Sequence, residues 1–205
     1  MKRWKTWEIA LLLALAATML WGAWSMQRQD MLAQKMIRLH IIANSDSDAD
    51  QTLKLQVRDK VLDYTTRVLQ RAKDMPDAEE ELRSALGQIE TIARREIVHQ
   101  GYDYPVEVQL ASAEFPLKTY DGFALPAGEY MALRLVIGAG EGQNWWCVVF
   151  PPLCTNAAAD LPETAVAAGL SDDDLRLITE ENTGYELRFR SLELWEQLRQ
   201  WLGKA

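Results

Sequence analysis

The chain has 205 residues, with 22 Lys and Arg against 30 Asp and Glu, a net charge of -8. So acidic a surface repels nucleic acid and anionic lipid over most of its area. At 48% hydrophobic the chain is no disordered tail, and its two cysteines cannot build a disulfide framework or a thiolate zinc site.

The charge is unevenly placed. Residues 1–25 carry Lys2, Arg3 and Lys5 against Glu8 alone, which leaves 19 basic and 29 acidic residues for the rest. Ile9 to Trp24 is apolar apart from Thr18. A cationic start before an apolar run is the pattern of a secretory signal peptide, and Ala23 and Ser25 suit its cleavage positions. The same residues suit an uncleaved anchor, because Trp4, Trp7, Trp21 and Trp24 flank the run as interfacial aromatics do. Sixteen helical residues reach about 24 Å, slightly short of a hydrocarbon core of about 30 Å. Either way the cations stay inside and the domain is exported.

Residues 26–36 read as a polar spacer, and residues 37–154 as one α+β domain. Ile37 to Ile42 is rich in β-branched residues and is expected to be a strand, ended by the polar loop Asn44 to Asp50. Leu53, Val57, Val61, Tyr64 and Val68 then mark one face of a helix, with Asp48 at its N-cap and Gln51 at N3. After the break at Asp74 to Asp77, Leu82, Ala85, Ile89, Ala93 and Ile97 mark a second helix, and Gly101 lies just past its end.

The period then falls to two. Val106, Val108 and Leu110 alternate with Glu107, Gln109 and Ala111 in a half-buried strand. Asp121-Gly122 and Pro126-Ala127-Gly128 are turns, and Met131, Leu133, Leu135 and Ile137 form the inward face of another strand. Trp145 to Phe150 is apolar on both faces, which places it at the centre of the sheet or under cover on both sides. Residues 155–205 read as an extension with a helix at Leu175–Glu180 capped by Ser171 to Asp174, a strand at Tyr185–Phe189 and a final helix from Ser191. The expected architecture is two layers, two helices packed on a mostly antiparallel sheet.

Little in this order points to catalysis. Asp46, Asp48 and Asp50 imitate a calcium loop, but Gln51 and Val57 stand where an EF-hand needs Gly and Glu. Gly138-Ala139-Gly140-Glu141-Gly142 lacks dinucleotide-loop spacing and leads into a strand, so it reads as a hairpin loop. His40 and His99 have no second His at metal-ligand spacing, so neither zinc nor another cofactor is expected. Trp145 and Trp146 point to opposite faces of their strand, and whichever is uncovered is a candidate anchor for a partner. Cys147 and Cys154 can pair only if the chain folds back at Pro151-Pro152; otherwise they are buried thiols.

Three stretches together resemble the stage II sporulation protein R family. They are Ile37-Arg38-Leu39-His40-Ile41-Ile42-Ala43-Asn44-Ser45-Asp46-Ser47, then Phe115-Pro116 with Leu125-Pro126-Ala127-Gly128-Glu129-Tyr130, and Asn144-Trp145-Trp146-Cys147 through Cys154. The resemblance implies a signal rather than an enzyme. Such a protein is exported from the forespore into the space between forespore and mother cell. There it triggers a membrane-embedded aspartic protease that matures the sigma-E precursor. Carried onto this sequence, it marks Asn44, Ser45, Asp46, Trp145 and Trp146 as partner-binding candidates. Two other classes compete: an envelope hydrolase using a pair among acids such as Asp46, Asp48, Asp50, Glu107, Glu114 and Glu129, and a membrane-anchored structural protein.

Overall fold

The computed structural model describes residues 2–120, 122–153, 165–166 and 169–180. Helix α1 (Lys2–Ala33) leads into strand β1 (Ile37–Ile42), then helices α2 (Asp48–Leu69) and α3 (Met75–His99). Strands β2 (Val106–Phe115), β3 (Lys118–Tyr120), β4 (Phe123–Leu125), β5 (Gly128–Ile137) and β6 (Asn144–Phe150) follow, and then helix α4 (Asp172–Glu180).

The main sheet runs β2-β5-β1-β6. β1 is parallel to β5 and antiparallel to β6, while β2 is antiparallel to β5. The expected α+β class with a mostly antiparallel sheet is therefore what forms. Of the two places expected for Trp145 to Phe150, it takes cover on both sides: β6 lies at an edge, and β1 and β5 are central. Cys147 and Val149 join the core under the helices, while Val148 joins a second core on the opposite face.

The first core packs α2 and α3 on one face of the sheet. Leu53, Val57 and Val61 from α2 and Leu82, Ala85, Ile89, Ala93 and Ile97 from α3 meet Ile37, Leu39, Ile41, Leu133, Leu135 and Ile137. These are the periodic positions read from the sequence, buried because their spacing keeps them on one stripe. The N-cap of α2 is Ser47 rather than Asp48: its side chain accepts from the Asp50 N–H. Asp74 caps α3 through the Asp77 N–H, with Pro76 in the first turn where a missing donor costs nothing.

The second core covers one end of the other face. It gathers Leu32, Ala33 and Met36 with Phe115, Tyr130, Ala132 and Val148, the β3–β4 hairpin through Phe123 and Leu125, and Ile178 of α4. Residues 26–36 are thus not a spacer. The helix runs unbroken to Ala33, and Leu32 and Met36 are fully buried. In α4, Ser171 and Asp174 form a reciprocal cap, each accepting from the other's backbone N–H. The expected strand at Tyr185–Phe189 and helix from Ser191 lie outside the described residues.

Candidate functional site

The five partner-binding candidates come from the loop after β1 and the start of β6, far apart in sequence, and the fold gathers them at one end of the sheet. β1 and β6 pair so that Ile41 faces Trp145, His40 faces Trp146 and Ile42 faces Asn144. The loop after β1 and the start of β6 are therefore neighbours, and the glycine loop between β5 and β6 joins them.

Asp50 organises this end. Its carboxylate accepts from Ser45 Oγ at 2.5 Å and from Asn44 Nδ2 at 2.9 Å. These bonds, with further ones from Tyr104 and Ser47, outweigh burial and hold its pKa below the usual carboxylate range. Asn44 reaches the other way as well: its Oδ1 accepts from the Ala139 N–H at 2.9 Å, and its backbone carbonyl from the Glu141 N–H. The approach is so close that a Cβ at Gly138 would lie 2.1 Å from Asn44 Oδ1, and one at Gly142 would lie 2.2 Å from the Ser45 carbonyl oxygen. The glycines serve this contact, which gives the run a structural reason. Lys54 completes the lock by donating to the Gln143 carbonyl at 2.9 Å and to Gln51. Burial, with repulsion from Arg58, pushes its pKa down against the pull of Asp46.

Asn44 and Ser45 therefore spend their side chains on internal bonds, whereas Asp46 is exposed. The tryptophans do point to opposite faces. Trp145 packs half-buried against the first core, with the Arg58 guanidinium 4.9 Å from its ring centre. Trp146 lies half-buried on the other face, stacked on the His40 imidazole at 3.7 Å and edge-on to Phe115 at 4.8 Å.

Two residues of this second face carry more than their sequence setting signals. Arg38 is fully buried, its guanidinium 4.1 Å from the Phe115 ring centre and 4.8 Å from that of Tyr130. It donates to the Tyr120 hydroxyl at 2.8 Å, while among the described residues Nε and Nη1 have no acceptor. A buried charge without a counter-ion costs several kcal/mol. The two ring faces offset part of that, at about 0.5–2 kcal/mol each. His40 Nε2 donates to Asn144 Oδ1 at 2.7 Å, which places the proton of the neutral ring on Nε2. Burial pushes the His40 pKa down, and Arg134 and Arg38 add to this against the Asn144 bond. The signal available in the sequence was a charge and an imidazole alternating with apolar residues in one short strand.

Among the described residues no group of three His, Cys, Asp or Glu stands close enough to hold a metal ion. Of the acids a hydrolase would need, Asp50 is engaged structurally. Glu114 and Glu129 face each other across β2 and β5, with Glu129 accepting from Ser112 Oγ. Cys147 is buried and disulfide-bonded, and Cys154 lies outside the described residues.

Fold and site together define a small α+β domain borne on an apolar N-terminal helix of the kind found in signal sequences and membrane anchors. The chain belongs to the stage II sporulation protein R family, whose profile matches residues 33–160. It is 41% identical over 123 residues to a protein of Bacillus subtilis (strain 168) named "Stage II sporulation protein R", a match covering 60% of this chain and 55% of that protein. The chain thus spans about half the length of that curated relative, whose name states a stage of sporulation and no reaction. No solved structure matches it. The chain is a sporulation protein, and the matched segment contains the first core, the whole main sheet and all five candidate residues.

Proposed function

We propose that this chain is an exported sporulation signal. Its domain is exported across the forespore membrane, acts in the space between forespore and mother cell, and activates a membrane-embedded aspartic protease that matures the sigma-E precursor. The observation that carries the reading is family membership across residues 33–160, the segment that builds the whole main sheet and the gathered loops. An apolar leader with cations at its start supports export. Activation follows if the domain binds one state of the protease more tightly than the other, since differential affinity is all a ligand needs to shift an equilibrium. An aspartic protease assembles two carboxylates in one site, so a dimeric state is an economical target. Asp46 and the rims of Trp145 and Trp146 are the contact candidates, with Asn44 and Ser45 shaping the loop that presents Asp46.

The test is a sporulating strain lacking the chain. Sigma-precursor processing is expected to stop and to return on complementation, and crosslinks from the outward part of the protease are expected at the Asp46–Trp145 end. Processing on schedule without the chain overturns the proposal.

A further inference from the structure

Helix α1 joins two environments without a break. From Thr6 to Trp24 every residue is exposed on all sides, including Trp7 at 78%, Leu11 at 71% and Leu20 at 72%. A helix with no polar stripe cannot rest on a water-facing surface, and this one is long and apolar enough to cross a bilayer. Eight residues beyond Trp24 the same helix is domain core: Leu32 is fully buried, with Ala33 and Met36 beside it. Lys35 bonds Asp174 at 2.5 Å, and Arg28 reaches Asp173 at 3.4 Å. Arg28 also lies over the Trp24 ring at 4.5 Å, so one side chain links the interfacial aromatic to the domain.

We infer that α1 stays on the protein after export, as a permanent transmembrane anchor whose partner is a phospholipid bilayer and whose last two turns are part of the domain. The cleavage-like residues Ala23 and Ser25 lie within continuous helix, three residues before Arg28. A peptidase takes its substrate extended. Unwinding this stretch exposes helical backbone and strips Arg28 from Trp24 and Asp173, so the folded chain guards the site. The geometry also sets the stand-off. From Trp24 to Leu32 the helix rises about 12 Å, against a headgroup layer of about 5–8 Å per leaflet. The domain therefore begins at the membrane surface. β1 starts at Ile37 and carries the chain about 17 Å along the strand to Ile42, at roughly 3.3 Å per residue. The Asn44–Asp46 loop and Trp145 thus lie at the end of β1 away from the anchor.

This inference does not rest on the sporulation reading, and its test does not read sporulation. The full chain is exported in a bacterial host, membranes are washed with alkaline carbonate, and the chain's intact mass is measured. The expected result is a full-length chain, essentially all in the carbonate-resistant pellet, with Ala23→Leu plus Ser25→Leu giving the same mass and the same fraction. A mature N-terminus near Met26 that the double substitution abolishes would overturn the inference. So would recovery of either form in the carbonate supernatant. Both substitutions lie before the first domain contact at Arg28, so neither outcome is confused with misfolding.

Discussion

Replacing Gly142 with Ala tests the packing of the two loops most directly. The added Cβ would lie 2.2 Å from the Ser45 carbonyl oxygen, 2.6 Å from the Ser45 carbonyl carbon and 2.8 Å from Ala43 Cβ. Two of these atoms are backbone, so no side-chain rotation relieves the clash. The loops must part, and the bonds from Glu141 N–H to Asn44 O and from Gly142 N–H to Ala43 O stretch or break. Two such bonds contribute about 1 kcal/mol each. Forcing a methyl into a packed site adds about 1–3 kcal/mol. The expected destabilisation is about 3 kcal/mol, or roughly 6–12 °C in Tm for a chain of this size. Gly87→Ala is the control: nothing lies within 4 Å of its added Cβ, and it is exposed inside α3. There the same methyl is expected to stabilise by about 0.5–1 kcal/mol. The assay is thermal unfolding of the chain in mild detergent, followed by tryptophan fluorescence, since Trp145 and Trp146 border the loops. If Gly142→Ala melts within about 2 °C of the unsubstituted chain, less than 1 kcal/mol at this size, the loops are not locked as described.

Other substitutions probe the remaining contacts. Asp50→Ala removes the acceptor for Ser45 and Asn44 and is expected to cost about 2–3 kcal/mol in urea unfolding. Because hydrogen bonding lowers the Asp50 pKa, its stabilisation is complete above the ordinary value of 3.8 and is lost as pH falls through the lower folded value. Asp50→Asn should therefore flatten the acid limb of the stability curve; an unchanged limb would contradict the hub. His40, whose pKa is lowered by burial, is neutral in both states above 6.5. Below that the unfolded chain takes up its proton first, so stability should fall as pH drops below 6.5 until it passes the lower folded value. His40→Asn should reduce this dependence, and equal slopes would refute it. Arg38→Met keeps the length and removes the unpaired charge. Its urea midpoint should match or exceed that of the parent, whereas a loss beyond about 2 kcal/mol would show that the ring contacts outweigh the burial of charge.

The periodic elements were legible because their cause is local. Leu82 to Ile97 had to share one helical stripe, and Met131 to Ile137 one strand face, whatever they packed against. Strand order is a different matter. β1 lies between β5 and β6, with its apolar side chains on the helix face and Arg38 and His40 on the other. Nothing local to Ile37–Ile42 chooses those neighbours. The same limit left two places open for Trp145 to Phe150, since composition reports cover on two faces but not pairing on two edges.

At the site, sequence resemblance selected Asn44, Ser45, Asp46, Trp145 and Trp146, and the fold then separated their duties. Asn44 and Ser45 became struts once Asp50 and the glycine loop closed on them, contacts that span as many as 95 positions for Asn44 and Ala139. The contact of Arg38 with Phe115 and Tyr130 is illegible in the sequence because it joins three separate strands, β1, β2 and β5. From the sequence alone come an acidic domain, its cationic apolar leader, its helix and strand periods and its family, all properties of neighbouring residues or of their pattern. Tertiary structure alone decided that the leader's helix runs on into the core, that the glycines meet Asn44, and that Asp46 is left exposed. Those are outcomes of which distant surfaces exclude water together, and no stretch of sequence holds both sides of such a contact.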